Sequence, residues 1–239
     1  MIGKQLSQSS TEVLRDIPVK FDFGKTLKRL KINSKTQVKQ KELIRKLLDV
    51  AATLVSPKAI YKVAYVESKK DTGVDIGGVW FKSRVLRKNL DKVERVFPYI
   101  ATIGKSLEEK ATSTKDLLEQ YYLEEIADLA LEDTLAYLER YLKKKYRLGQ
   151  LSSMSPGSLA DWPLTQQAGL FSLFGDTRKI IGVSLTDSFL MIPRKSESGI
   201  YFPTEIKFYS CQLCPRKGCI GRKAPYNPEL AKRYKIYQE

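Results

Sequence analysis

Residues 96–104 read Val96-Phe97-Pro98-Tyr99-Ile100-Ala101-Thr102-Ile103-Gly104. The run is apolar, bounded by proline and glycine and too short for a helix, so residues 98–103 read as a strand. Leu107-Glu108-Glu109 then opens a helical pattern, which makes 101–109 a strand-to-helix turn. Its backbone N–H groups could hold an anion, or the turn could be purely structural. Gly104-Lys105-Ser106 imitates the end of a phosphate-binding loop, but the glycine required five positions earlier is Tyr99. A P-loop is excluded.

Downstream lies the strongest helical signal, with Leu118, Tyr122, Ile126 and Leu129 at helical spacing and Leu135, Leu138 and Leu142 beyond. Ser113 or Thr114 is the expected cap. Asp116 and Glu119 suit the positive end, and Lys143, Lys144 and Lys145 the negative end. Its tyrosines read as core and boundary residues. Upstream, residues 84–96 read as helix, and 59–66 with 74–81 as a hairpin around Lys69-Lys70-Asp71-Thr72-Gly73. Leu43, Ile44, Leu47, Val50 and Ala51 predict a helix from about Thr36 that stops before Pro57. Residues 1–35 are polar and basic, and the alternation of Val19, Phe21 and Phe23 suggests a short extended arm. After Gly149 the texture changes. Residues 149–163 read as loop, 164–174 as helix, 180–192 and 199–209 as strands, and 228–237 as a closing helix. The pattern gives two mixed halves sharing one sheet, divided as a basic arm (1–35), an α+β domain (36–209) and a cysteine loop with a final helix (210–239).

The 239 residues include no histidine. That excludes Ser-His-Asp and Cys-His catalysis, HExxH zinc sites, and an imidazole ligand for haem or cobalt. Acid–base work near neutral pH would fall to shifted carboxylates, lysines or tyrosines. No run is apolar enough for a membrane span, and the Met1 end lacks the apolar core of a signal peptide. With cysteines expected to stay reduced, this points to the cytoplasm. Lys+Arg 42 against Asp+Glu 27 gives a net charge of +15, a field that favours nucleic acid, anionic ligands or an acidic protein. The excess is richest at residues 25–35, 143–147 and 216–223. No patch reads as aromatics interleaved with cations, so a solvated or protein-docking surface is preferred to nucleic acid.

All three cysteines fall in Cys211-Gln212-Leu213-Cys214-Pro215-Arg216-Lys217-Gly218-Cys219. The spacing resembles a metal or iron–sulfur ligand set, with no fourth ligand evident. A disulfide would leave one thiol over. Zinc, or simple buried thiols, are the other readings.

The segment 96–104, continued by Leu107-Glu108-Glu109-Lys110 and the long helix, resembles the activation (reactivation) domain of cobalamin-dependent methionine synthase. So do Ser155-Pro156-Gly157 with Asp161-Trp162-Pro163, and Gly182-Val183-Ser184-Leu185-Thr186-Asp187-Ser188 leading to Pro193, Ser196, Ser198 and Gly199. The similarity spans roughly residues 40–209. It implies an α+β fold with a twisted antiparallel sheet and flanking helices, and a role beside a corrinoid protein. In that family the domain binds S-adenosylmethionine and meets the cobalamin module, where inactive Co(II) is reduced and remethylated. Carried over by motif, the cofactor positions are Ser155, Pro156, Gly157, Ser158, Ser198, Gly199 and Tyr209, with Phe208 an alternative to Tyr209.

The family's R-x-x-P-G-Y loop is altered here. Ser153 stands at the arginine that pairs with the ligand carboxylate, and Ser158 at the tyrosine. Losing such a clamp costs on the order of a few kcal/mol, so weak or no S-adenosylmethionine binding is expected. The cysteine loop has no counterpart in that family. Together these features point to an accessory protein, a corrinoid reactivation factor of a methyltransferase system. Cys211, Cys214 and Cys219 would hold an iron–sulfur relay between a low-potential electron donor and a partner's cobalamin. Arg216, Lys217, Arg222 and Lys223 would lower thiolate pKa values and form the docking surface. The alternatives are a nucleotide or S-adenosylmethionine binder without redox role, and a basic nucleic-acid-binding protein with a zinc knuckle.

Overall fold

The computed structural model describes residues 11–33, 37–219 and 221–234. In chain order the elements are β1 (Glu12–Leu14), α1 (Phe23–Arg29), α2 (Val38–Leu54), β2 (Lys58–Tyr61), β3 (Ala64–Lys70), β4 (Gly73–Ile76), β5 (Val79–Phe81) and α3 (Arg84–Asn89). Then come β6 (Arg95–Thr102), α4 (Ser106–Ser113), α5 (Leu117–Tyr146), β7 (Leu151–Met154), α6 (Gln167–Ser172) and α7 (Thr177–Ile181). The chain closes with β8 (Ser184–Leu185), β9 (Met191–Ile192), β10 (Ser196–Pro203) and α8 (Pro228–Tyr234).

The apolar run around Tyr99 is the spine of the molecule. β6 pairs antiparallel with β2 along one edge (Ile60↔Ile100) and with β10 along the other (Gly199↔Tyr99). Its first residues pair with β3 (Ala64↔Val96), and β10 hands on to β7 (Ile200↔Met154). The result is an antiparallel sheet of eight strands with helices packed on it, the α+β class read from the sequence. Buried on both faces, β6 still alternates. Phe97, Tyr99 and Ala101 join the core under the second half of α5, whereas Val96 and Ile100 join the core on the opposite face. That opposite core includes Phe81 and Trp162, whose rings meet edge to face at 5.8 Å. Burying each of these large side chains stabilises the fold by about 1.5–3 kcal/mol.

α5 serves two cores. Its first half, with Tyr122, Leu123 and Ile126, packs on α1, α2 and α4; its second half, with Leu135, Leu138 and Leu142, covers the sheet. Lys195 fastens the start of β10 to α5 through Glu124 (2.8 Å) and Asp128 (2.7 Å). Its neighbour Arg194 bridges Glu108 of α4 (2.6 Å) and Glu124 (2.9 Å).

Several local expectations are corrected. The cap of α5 is Asp116, which accepts from Leu118 and Glu119 N–H; Ser113 and Thr114 instead close α4 by donating to the Lys110 carbonyl. The helix expected over 84–96 ends at Asn89, because Val96 is drawn into β6 by pairing with β3. The hairpin around Asp71 is present, but its arms break: the first passes from β2 to β3, and the second turns at Gly77-Gly78 into β5. The stretch 149–163 contains a strand, β7, hidden in sequence by Ser152 and Ser153. Ser152 is tolerated in the core because its Oγ accepts the Phe208 N–H at 2.7 Å.

The single strand expected over 180–192 is instead the end of α7, closed by Gly182, and the β8–β9 hairpin. The strand expected over 199–209 runs earlier, from Ser196 to Pro203. Around Val19, Phe21 and Phe23 the chain is not simply extended: Asp22 caps α1, and Phe23 opens it beneath the Arg45 guanidinium. α8 covers the described part of the closing helix; residues 1–10, Thr36 and the last five residues lie outside the described residues.

Candidate functional site

Two cavities flank the middle of β10. The first, of about 400 Å³, lies between the turn after β7 and the β8–β9 hairpin, and is lined by Ser155, Pro156, Gln167, Phe189, Glu197 and Ser198. The second, of about 360 Å³, lies between β10, α5 and the C-terminal segment, and is lined by Ser153, Glu197, Tyr201, Lys207, Tyr209, Arg222 and Lys223 among others. Glu197 borders both. Each is of the size that small-molecule sites occupy.

The sequence builds this place with little room to spare. A Cβ on Gly199 would stand 2.6 Å from the Met154 carbonyl and 3.0 Å from the Tyr99 hydroxyl, so only glycine lets β7, β10 and Tyr99 close up. Gly157 adopts φ +82° and donates its N–H to the Trp162 carbonyl at 2.7 Å, which folds the Ser155–Gly157 turn back on the Asp161-Trp162-Pro163 corner. Ser198 is buried and donates to Gln167 (3.3 Å), whose amide holds the Phe189 carbonyl (2.9 Å). Thus Ser155, Pro156, Ser198 and Gly199 converge with Glu197. Ser158 faces away, donating to the Ser155 carbonyl and contacting Ser210 at 3.3 Å. Tyr209 and Phe208 both line the second cavity, and the Phe208 ring also packs in the core against Tyr234.

Beneath both cavities the buried Tyr99 hydroxyl donates to Glu197 at 3.0 Å, and the Tyr99 ring stacks on Tyr201 at 4.4 Å. Burial, and then the Glu197 charge, push the Tyr99 phenol well above its ordinary range. Tyr201 is raised for the same reasons, so both rings remain neutral donors at neutral pH. On the α5 wall, burial pushes Glu139 up, but hydrogen bonds from Lys143 and Lys207 prevail and hold it below the usual carboxylate range. Glu197 was missed from sequence because it sits at an alternating strand position between two buried serines, with no motif to flag it.

The cysteine segment packs beside this site. Its three thiols are half-buried, and among the described residues no group of three or more histidine, cysteine or carboxylate side chains is placed to hold a metal. The loop is organised around Arg222 instead. Its guanidinium donates to the carbonyls of Cys211 (3.0 Å), Cys214 (3.1 Å), Ala224 (3.2 Å) and Arg216. The Cys211 thiol accepts the Lys223 N–H at 3.4 Å. The sequence order is Cys-x2-Cys-x4-Cys-x2-Arg, a spacing that would end on a fourth ligand and here ends on Arg222. As arranged here, the thiols do not fit an iron–sulfur cluster. Of the expected docking cations, Arg216, Lys217 and Lys223 are exposed, while Arg222 is committed to the loop's own carbonyls.

The other basic patches are partly neutralised. Lys25 pairs with Asp133, Arg29 with Glu125 and Glu132, and Lys145 with Glu12. The expectation that no patch mixes aromatics with cations is corrected on α5. Helical spacing stacks Tyr137 and Tyr141 at 6.4 Å, and with Arg140, Lys144 and Lys145 they line a shallow groove. At the strand-to-helix turn, the Gly104 N–H is taken by Thr102 Oγ1 and Lys105 pairs with Glu109, which makes the turn structural.

Scans of protein-family models and of curated proteins found no match. Among solved structures the chain is similar to the MetH reactivation domain bound to AdoHcy, with TM-score 0.60 and 15% identity over 84% of this chain and 81% of that one. The chain therefore has the fold of a methionine synthase reactivation domain. No helix among the described residues is long and apolar enough to cross a membrane.

Proposed function

We propose that this protein is an accessory factor of a corrinoid methyltransferase system, which docks on a corrinoid-binding protein and supports the reductive reactivation of its cobalt. The observation that carries the reading is the pair of cavities meeting at Glu197, on the fold of a domain whose solved relative holds AdoHcy. Ser155, Pro156 and Ser198 form the floor and turn against which an S-adenosyl ligand would lie, with Gly199 letting the strands close beneath them, and Tyr209 and Tyr201 offer ring surface. The partner's corrinoid would supply the cobalt chemistry, with one electron from a low-potential donor and the methyl group from bound S-adenosylmethionine, which would leave as S-adenosylhomocysteine.

This chain's residues bind and present the ligand and the partner; lacking histidine, they supply no imidazole to cobalt. The reading requires no iron–sulfur relay, and the cytoplasm is its natural setting. The test is spectroscopic. With a low-potential reductant, added protein should speed loss of the Co(II) spectrum in candidate corrinoid proteins, and S-adenosylmethionine should then yield the methylated form. Ligand binding without any spectral effect would leave a nucleotide-type binder with no redox role.

A second reading, single-stranded nucleic acid, is favoured only by the Tyr137–Tyr141 stack with Arg140 and Lys144. It requires oligonucleotide binding with a steep salt dependence that is lost in Tyr141→Ala.

A further inference from the structure

The second cavity holds an uneven set of charges. Arg29 is matched by Glu125 and Glu132, and Lys207 lies 2.9 and 3.0 Å from the two oxygens of Glu139. Three charged groups on the cavity wall are left without an opposite charge at ion-pair distance among the described residues: Glu197, Arg222 and Lys223. Glu197 has the Tyr99 hydroxyl but no cation. Arg222 has carbonyl oxygens but no carboxylate, and Lys223 uses its backbone N–H on the Cys211 thiol. Charges of both signs left over on one wall, Glu197 and Arg222 half-buried and Lys223 exposed, complement a ligand that carries both signs itself.

We propose that this cavity receives the α-amino-acid end of the ligand, its ammonium facing Glu197 and its carboxylate facing Arg222 and Lys223. The cysteine segment is then a wall of the ligand site, with Arg222 holding the loop in shape while its charge and that of Lys223 attract the carboxylate. Cations from a segment after β10 thereby take over the work of the arginine missing at Ser153, which lines the same cavity. The proposal rests on the ligand reading above and assigns its charge-selecting end. It predicts measurable affinity where the altered loop alone predicts weak binding or none, because cations from elsewhere in the chain would compensate the lost clamp.

The experiment is calorimetric titration of the full chain with S-adenosylhomocysteine and with 5′-methylthioadenosine, which keeps the adenosine and thioether but lacks the amino-acid end. The wild type should bind the first about tenfold or more tightly than the second, the factor expected of a charge-assisted contact. Lys223→Glu is an exposed change, and Glu197→Gln preserves shape. Each should erode that ratio several-fold. Equal affinity for both compounds, or a ratio indifferent to both variants, overturns this proposal and leaves the ligand reading standing. If Glu197 and Lys223 merely satisfied each other, the variants would lower the melting temperature and leave the ratio untouched, which overturns the proposal in the same way. Binding of neither compound removes the ligand reading and this proposal together.

Discussion

The Tyr99 hydroxyl stands 3.0 Å from Glu197, donating upward from the buried centre of the sheet to the carboxylate shared by both cavities. Burial raises the phenols of Tyr61, Tyr99 and Tyr201 together. A raised folded pKa means that the unfolded chain loses these protons first. The contribution to stability is complete below the ordinary phenol value of 10.0 and falls as pH climbs above it. Urea midpoints should therefore be flat through neutral pH and drop steeply above about pH 10, with tyrosinate absorbance rising together with unfolding. Tyrosinate absorbance amounting to all thirteen tyrosines before any unfolding would show that these rings are not shielded.

Asp161 joins the corner after β7 to the start of α3. Its carboxylate accepts from Ser83 Oγ, from Val85 N–H at 2.9 Å and from Arg84 N–H at 3.3 Å, while Ser83 Oγ accepts the Leu86 N–H. Asp161→Ala leaves the helix start and a buried serine without their acceptor. It should cost about 2–3 kcal/mol, read from the denaturation midpoint at unchanged slope. A change below 0.5 kcal/mol, on the order of a neutral surface substitution, would refute this role.

Arg222→Cys completes a Cys-x2-Cys-x4-Cys-x2-Cys spacing and removes the guanidinium that holds the loop. The variant should take up one zinc ion per chain and gain thermal stability in proportion to free zinc, reversed by a chelator. Elemental analysis of variant and parent decides the matter. Equal zinc in both would count against Arg222 standing in a ligand position. Iron and sulfide in the anaerobic parent, lost on Cys214→Ser, would show that the thiols converge around a cluster and displace Arg222.

Arg216 and Lys217 project from the cysteine loop into solvent. Reversing both charges should weaken a corrinoid complex and flatten its salt dependence, because exposed charges are screened beyond about 8 Å at physiological ionic strength. The melting temperature should hold. Unchanged association rates would move the docking surface elsewhere, with the α5 groove at Tyr137 and Tyr141 the next candidate.

What the sequence revealed and concealed follows from physics. The run around Tyr99 and the periodic apolar positions of α5 are local signals, and they marked the central strand and the long helix, whereas Pro156 and Gly157 drew notice only through the family resemblance. β7 was concealed because Ser152 is made apolar-compatible by a partner 56 positions away, the Phe208 N–H. The end of α3 was concealed because pairing with β3 outweighs helical spacing at Val96. Arg222 reads as one more surface cation until the loop closes on it. Glu197 becomes visible as a site residue only once two cavities open on either side of its strand.

The tail after β10 reaches the rest of the fold through a few apolar anchors, among them Phe208, Leu213 and Ala231, yet it walls half of the second cavity. Lys207 pairs with Glu139 of α5, but among the described residues the tail's other charges make no ion pair with the sheet or α5. A descendant chain could exchange the residues around Arg222 and Lys223 and so acquire a taste for a different molecule, with the strands beneath never having to be reinvented.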